Sequence, residues 1–256
     1  MMKNELNCKI LEATILPSGA VSMTFESMGM AAQIATPGQF VHVKCGDANL
    51  LRRPISICNW SADRDVIHMV FEDRGEGTHW LAQRTAGETL DVLGPLGHGF
   101  TMVPDGRYLL VGGGIGVPPM LGCAMHGGHN NVAILGFRSR QNAMLLEEFS
   151  RACDDVRLAT DDGSLGHHGF VDALVRQELE KDTSFTGVLA CGPKPMLRSV
   201  AKVAEEFGIP CQVSMEERMG CGIGACLVCA CKTKDGHQKH ACKDGPVFDS
   251  KEVDWE

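Results

Sequence analysis

Five cysteines crowd the 22 residues from Cys221 to Cys242, and the spacing of four of them limits what the chain can become. Cys221, Cys226, Cys229 and Cys242 stand as C-x4-C-x2-C-x12-C in a stretch broken by Gly220, Gly222 and Gly224. Four thiolates so spaced form the plant-type pattern for a [2Fe–2S] cluster, with three ligands from one short loop and the fourth further along. Glycines let such a loop come close, take positive φ and aim its N–H groups at the sulfurs. Structural zinc also accepts four cysteines, but zinc sites usually use paired C-x2-C knuckles, and only Cys226 and Cys229 make one. Cys231 could stand in for Cys229; the spacing selects Cys229 and leaves Cys231 a bystander. Rieske-type ligation would need two histidines in place of two cysteines. With four well-spaced cysteines present, the nearby His237 and His240 are expected to face solvent.

Whether clustered cysteines bind metal or form disulfides depends on the compartment. The start, Met1-Met2-Lys3-Asn4-Glu5, lacks the pattern of a signal peptide. The most apolar stretch, 108–125, holds five glycines and two prolines, which argues against a spanning helix. A cytoplasmic protein away from membranes is expected. The scattered Cys8, Cys45, Cys58, Cys123, Cys153, Cys191 and Cys211 sit mostly in apolar runs and read as small buried hydrophobes. A net charge of −8 argues against a nucleic-acid partner. At 256 residues, with 44% apolar and 22% charged, the chain is expected to form two or three soluble modules.

Periodicity divides the chain. Over 1–103, short alternating or apolar runs such as 20–25, 40–43 and 66–71 are separated by turn signals, which predicts an antiparallel β-barrel with one short helix over 78–84. After Pro104-Asp105-Gly106 the pattern changes. Strands are expected over 108–111, 132–136, 156–159, 187–190 and 211–215. Helices are expected over 119–125, 142–153, 170–180 and 195–207. Such alternation implies a doubly wound, largely parallel sheet over 104–215. Residues 216–256 form a third, cysteine-rich module, too small for an independent core and bound to pack on the others.

Three further segments carry chemistry. Arg52-Arg53-Pro54-Ile55-Ser56-Ile57 follows a predicted strand. An arginine fork suits a pyrophosphate, a proline fixes the turn, and a serine hydroxyl can bond a ring edge. Val111-Gly112-Gly113-Gly114-Ile115-Gly116-Val117-Pro118-Pro119 joins a strand to a helix but is not G-x-G-x-x-G, since Val117 stands at the third glycine position. Cys191-Gly192-Pro193-Lys194-Pro195-Met196 ends a later strand. In open α/β sheets, ligands bind outside the carboxyl ends of strands. Thr160-Asp161-Asp162-Gly163-Ser164 lies at another such end, where its acidic pair disfavours a 2′-phosphate and hints at NAD over NADP. Arg138 and Arg140 pull the other way unless they are plain surface charge.

These segments resemble the ferredoxin–NADP reductase superfamily. The resemblance implies that FAD is held by Arg53, Pro54, Ile55 and Ser56, by Val70, Phe71 and Glu72, and by Gly77 and Thr78. Arg53 would meet the pyrophosphate and Ser56 the flavin N5 region. Gly94-Pro95-Leu96-Gly97 resembles the segment that closes the flavin barrel. Glu72 stands where that family carries an arginine, so either Arg74 supplies the charge or the adenine end of FAD is held differently. The G-G-G-x-G-x-x-P turn and C-G-P-x-x-M imply NAD contacts at Gly114, Gly116, Cys191, Gly192 and Pro193. Over essentially its whole length, and above all in Met215-Glu216-Glu217-Arg218-Met219-Gly220-Cys221-Gly222-Ile223-Gly224-Ala225-Cys226, the chain resembles the electron-transfer subunits of NAD-dependent dihydroorotate dehydrogenase B.

That likeness implies an NAD-linked oxidoreductase component using [2Fe–2S], FAD and NAD. It also implies an FMN-containing catalytic subunit as partner, in an assembly of two chains of each kind, serving pyrimidine (UMP) biosynthesis. The dihydroorotate chemistry would lie on the partner, so no catalytic residue is expected here. The nearest alternative is the small subunit of ferredoxin:NAD(P) oxidoreductases and sulfide dehydrogenases, which typically uses an aspartate and three cysteines; Cys221 speaks against it. A non-redox metal-binding regulatory module is the second alternative. It leaves the nucleotide-binding segments unexplained.

Overall fold

The computed structural model describes residues 5–256. Strands β1 (Glu5–Ile15), β2 (Val21–Glu26), β3 (Phe40–Val43), β4 (Arg53–Ser61) and β5 (Val66–Phe71), helix α1 (Glu76–Ala82) and strand β6 (Thr89–Leu96) build the first unit. Its strands close into an antiparallel barrel in the order β1-β2-β5-β4-β3-β6. Alternation is visible in β2, where Val21, Met23 and Phe25 are buried and Ser22, Thr24 and Glu26 less so. The inward residues of all six strands form one core, and Leu81 of α1 joins it.

The α/β unit comprises β7 (Tyr108–Gly113), α2 (Val117–His126), β8 (Val132–Phe137), α3 (Leu146–Ala152), β9 (Asp155–Thr160), β10 (His167–His168), α4 (Val171–Lys181), β11 (Gly187–Cys191), α5 (Lys194–Glu206) and β12 (Cys211–Ser214). Every residue of β7 is buried, as a central parallel strand covered on both faces requires. Helices α2 and α3 pack on one face of the sheet and α4 and α5 on the other. The doubly wound expectation thus holds. Helix α3 starts later than the sequence periodicity suggests. Residues 140–142 form a 3-10 turn, and Leu145 takes a left-handed φ of 60° that restarts the helix at Leu146.

The last segment adds a hairpin, β13 (Ala230–Lys232) with β14 (Gln238–His240), and then β15 (Val247–Asp249). Strand β15 pairs antiparallel with β12, so the sheet runs β10-β9-β8-β7-β11-β12-β15. The cysteine module is therefore stitched into the nucleotide unit. It is also tied to the barrel: the His98 amide donates to the Gly245 carbonyl, and a Cβ on Gly97 would lie 2.7 Å from that oxygen. The barrel meets the α/β unit where Gly122 of α2 approaches the Cys58 carbonyl of β4.

Candidate functional site

Chain order reverses between β7 and β11, the switch point of the sheet. The two strands pair in register, with Cys191 beside Gly112. Their following turns press together so closely that a Cβ on Gly116 would lie 2.3 Å from the Cys191 carbonyl oxygen. Gly192 packs against Gly113, and Met196 lies over both. Gly114 takes φ +54° with open space beside it. Helices α2 and α5 begin immediately after these turns, so two positive helix ends converge there. Gly114, Gly116, Cys191, Gly192 and Pro193, far apart in sequence, thus share one cradle with the chemistry a pyrophosphate needs. At the ends of β8 and β9, Arg140 is engaged by its own surroundings: its amide donates to the Ser164 hydroxyl at 2.8 Å and its guanidinium to the Ser164 carbonyl at 3.2 Å.

On the barrel, Ile55 and Ile57 point inward. Pro54, Ser56 and Cys58 alternate outward, and Cys58 already belongs to the core shared with α2. Ser56 therefore lies on the barrel face that turns toward the α/β unit. The two neighbouring arginines divide their work. Arg52 is held by Glu5 at 2.8 Å and Asp91 at 2.9 Å, which ties the barrel ends together. Arg53 bonds only the loop at Leu51 and Asn49, and it lies across the first turn of α1, where a Cβ on Gly77 would meet its Nε at 2.5 Å. The R-x-x-S strand and the Gly77-Thr78 turn thus converge. Thr78 spends its hydroxyl locally, accepting from the Arg74 and Gly75 amides and donating to the Gly75 carbonyl. Val70 and Phe71 turn their side chains into apolar cores and leave only backbone for a ligand. Glu72 pairs with Arg74, so the charge that Arg74 might offer an adenine end is matched by a carboxylate beside it.

The four spaced cysteines come together as two pairs. Cys229 and Cys242 are buried, with sulfurs 3.2 Å apart. Cys221 and Cys226 are the outer pair, and each accepts the other's amide N–H at 3.3 Å. Further loop amides aim at the sulfurs: Ile223 and Ala225 at Cys221, and Gly224 at Cys242 at 3.1 Å. Burial works against ionisation of Cys221, but these N–H groups overcome it and bring the thiol down to about 6. Among the described residues, no three His, Cys, Asp or Glu side chains surround one point as around a single ion. Two sulfur pairs ringed by N–H donors have the chemistry to hold a dinuclear iron–sulfur centre. Cys231 lies outside this set, in β13, buried and with its thiol pushed up to about 12 by desolvation. His237 is exposed and His240 half-buried beside Asp244.

One buried group here carries no sequence signal. His42 of β3 is fully buried, and burial lowers its ring pKa to about 4. It stands against Gly222 of the cysteine loop, and neither ring nitrogen has a hydrogen-bond partner. A single histidine in a strand cannot be told from any core residue until its neighbours are known.

Comparison with known proteins identifies the family. Residues 216–254 match the iron–sulfur cluster binding domain of dihydroorotate dehydrogenase B, and residues 110–202 match an oxidoreductase NAD-binding domain. The dihydroorotate dehydrogenase B (NAD(+)) electron transfer subunit of Geobacillus thermodenitrificans is 43% identical over 88% of this chain and 89% of its own length. That of Desulforamulus reducens is 38% identical, with 100% of both chains covered. Among solved structures, the NADH-dependent reduced ferredoxin-NADP oxidoreductase, studied for flavin-based electron bifurcation, aligns at TM-score 0.87 and 31% identity over 100% of this chain and 92% of that one. A ferredoxin NADP+ reductase from Neisseria gonorrhoeae, at TM-score 0.65 and 15% identity over 79% of this chain and 91% of that one, shares the fold. No helix among the described residues is long and apolar enough to cross a membrane. By full-length likeness and by its matched iron–sulfur and NAD domains, the chain belongs to the electron transfer subunits of NAD-dependent dihydroorotate dehydrogenase B.

Proposed function

We propose that this chain passes electrons from an FMN-containing dihydroorotate dehydrogenase catalytic subunit to NAD+, in a cytoplasmic assembly of two chains of each kind. Cys221, Cys226, Cys229 and Cys242 would hold [2Fe–2S]. Arg53, Pro54, Ile55, Ser56, Gly77 and Thr78 would hold FAD, with backbone help from Val70, Phe71 and Glu72. Gly114, Gly116, Cys191, Gly192 and Pro193 would hold NAD. When bound, the cluster supplies one-electron transfer and FAD couples it to the two-electron chemistry of nicotinamide.

The chain's own residues organise that traffic. The N–H groups of 223–226 favour charge on the cysteine sulfurs. The Gly116–Cys191 contact would fix the turns that hold NAD, and hydride transfer to it would need near-contact geometry with the flavin. One observation carries the reading: the sulfurs pair as an outer set and a buried set, and the buried set shares an apolar core with Phe40, which pairs with Ser56 on the flavin strand. The outer set lies beside Ile223, Leu227 and Val228, exposed by 50%, 59% and 57%. Apolar side chains so exposed mark a partner surface, and residues 220–231 are where the catalytic subunit would dock.

The test is reconstitution. Mixed anaerobically with an FMN-bearing dihydroorotate dehydrogenase subunit, the loaded protein is expected to give dihydroorotate-dependent reduction of NAD+. Transfer to ferredoxin alone, with none from dihydroorotate, would contradict the proposal.

A further inference from the structure

His42 lies between the flavin strand and the cysteine loop. On β3 it alternates with Val41 and Val43, which face the barrel core, so its ring points outward. It pairs with Pro54 of β4, on the face that carries Ser56. The next outward residue, Phe40, packs in the core that holds Cys229 and Cys242. On the loop side, a Cβ on Gly222 would come within 2.7 Å of His42 Nδ1, and Gly222 takes φ +73° as the loop passes over the ring. The ring is 0% exposed, and both nitrogens lack hydrogen-bond partners. The backbone of Arg52 and of Cys221 comes near, but neither makes an aligned bond.

An imidazole carries at least one N–H in either protonation state. Leaving such a donor buried without an acceptor costs about 1–3 kcal/mol, which an apolar side chain of similar size would avoid. The chain itself offers no aligned acceptor. What this loop is shaped to surround is sulfur: the amides of Ile223, Gly224, Ala225 and Cys226 already point at Cys221 and Cys242.

We propose that His42 is a tuning residue of the iron–sulfur centre, donating its ring N–H to the sulfur shell from the barrel side and raising the centre's reduction potential. The proposal rests on the ligand assignment made above. A donor to sulfur stabilises the added negative charge of the reduced state, so its loss makes reduction harder. The proposal does not depend on titration of the ring.

The experiment compares full-length wild type, His42→Phe and His42→Gln, each anaerobic and loaded, by iron and FAD content and by redox titration followed in visible and EPR spectra. Phenylalanine fills the space without a donor, and glutamine restores an N–H. His42→Phe is expected to keep iron and FAD and to shift the cluster equilibrium about tenfold toward the oxidised form, about 59 mV for one electron. The flavin potential stays fixed, and His42→Gln recovers most of the shift. An unchanged cluster potential in His42→Phe, an equal shift in both variants, a shift confined to the flavin, or iron loss in both variants would each overturn the role of His42. A wild type that binds no iron would overturn the ligand assignment beneath it.

Discussion

Gly116 has no room for a side chain. Its nearest neighbour is the Cys191 carbonyl, backbone that cannot swing away. Gly116→Ala must push the two nucleotide turns apart, at about 1–3 kcal/mol of strain. A displacement near 1 Å at the reacting end costs about a hundredfold in rate. NADH oxidation by an artificial acceptor is expected to fall by that order while FAD content holds, since the barrel is untouched. Normal turnover would mean that the cradle is not the NAD site. Asp182 provides a separate test through pH. The Ser184 amide and hydroxyl, joined by the Arg107 guanidinium, hold its carboxyl down to about 2. The unfolded value lies near 3.9. The folded pKa is the lower one, so the stabilisation is complete above about pH 4 and is lost as pH falls through about 2. Asp182→Asn is expected to lower the melting temperature near neutrality, and the gap to wild type should close on acidification. A gap independent of pH would assign the effect to packing.

At the scale of elements, the proposed cluster loop and the proposed NAD turns would divide the labour, so they should fail independently. Cys226→Ser removes one of the outer thiolates. It is expected to abolish electron passage from the catalytic subunit while leaving NADH oxidation by an artificial acceptor unchanged. Joint loss of both activities would contradict separate cluster and flavin roles. Much of this arrangement is legible in the sequence because each element advertises itself locally. The unbroken apolar run of β7 announces a covered strand, the glycines of 112–116 a close approach, and C-x4-C-x2-C a metal-binding loop. What is not legible depends on contacts made across the chain. Strand β15 is three residues long and joins the sheet only because β12 offers it an edge. The restart of α3 depends on one left-handed residue, Leu145, whose side chain gives no warning of it. The unpartnered ring of His42 appears only when β3 and the cysteine loop, distant in sequence, are brought together.

At the scale of the molecule, a succession of contacts joins the three units. The buried Cys229–Cys242 pair shares a core with Phe40 of β3, Phe40 pairs with Ser56 of β4, Cys58 of β4 meets Gly122 of α2, and α2 starts at the Gly116–Cys191 contact. No unit completes that succession alone. The cysteine module lends β15 to the nucleotide sheet, the barrel grips residue 245 through His98, and α2 closes on β4 at Gly122. A plausible regulatory metal protein would need none of this alignment. Whether one chain holds both a dinuclear iron–sulfur centre and a flavin is decided by counting them. Purified anaerobically at full length, the protein is expected to contain one FAD with two irons and two sulfides per chain. Zinc in place of iron, with no flavin, would contradict the account.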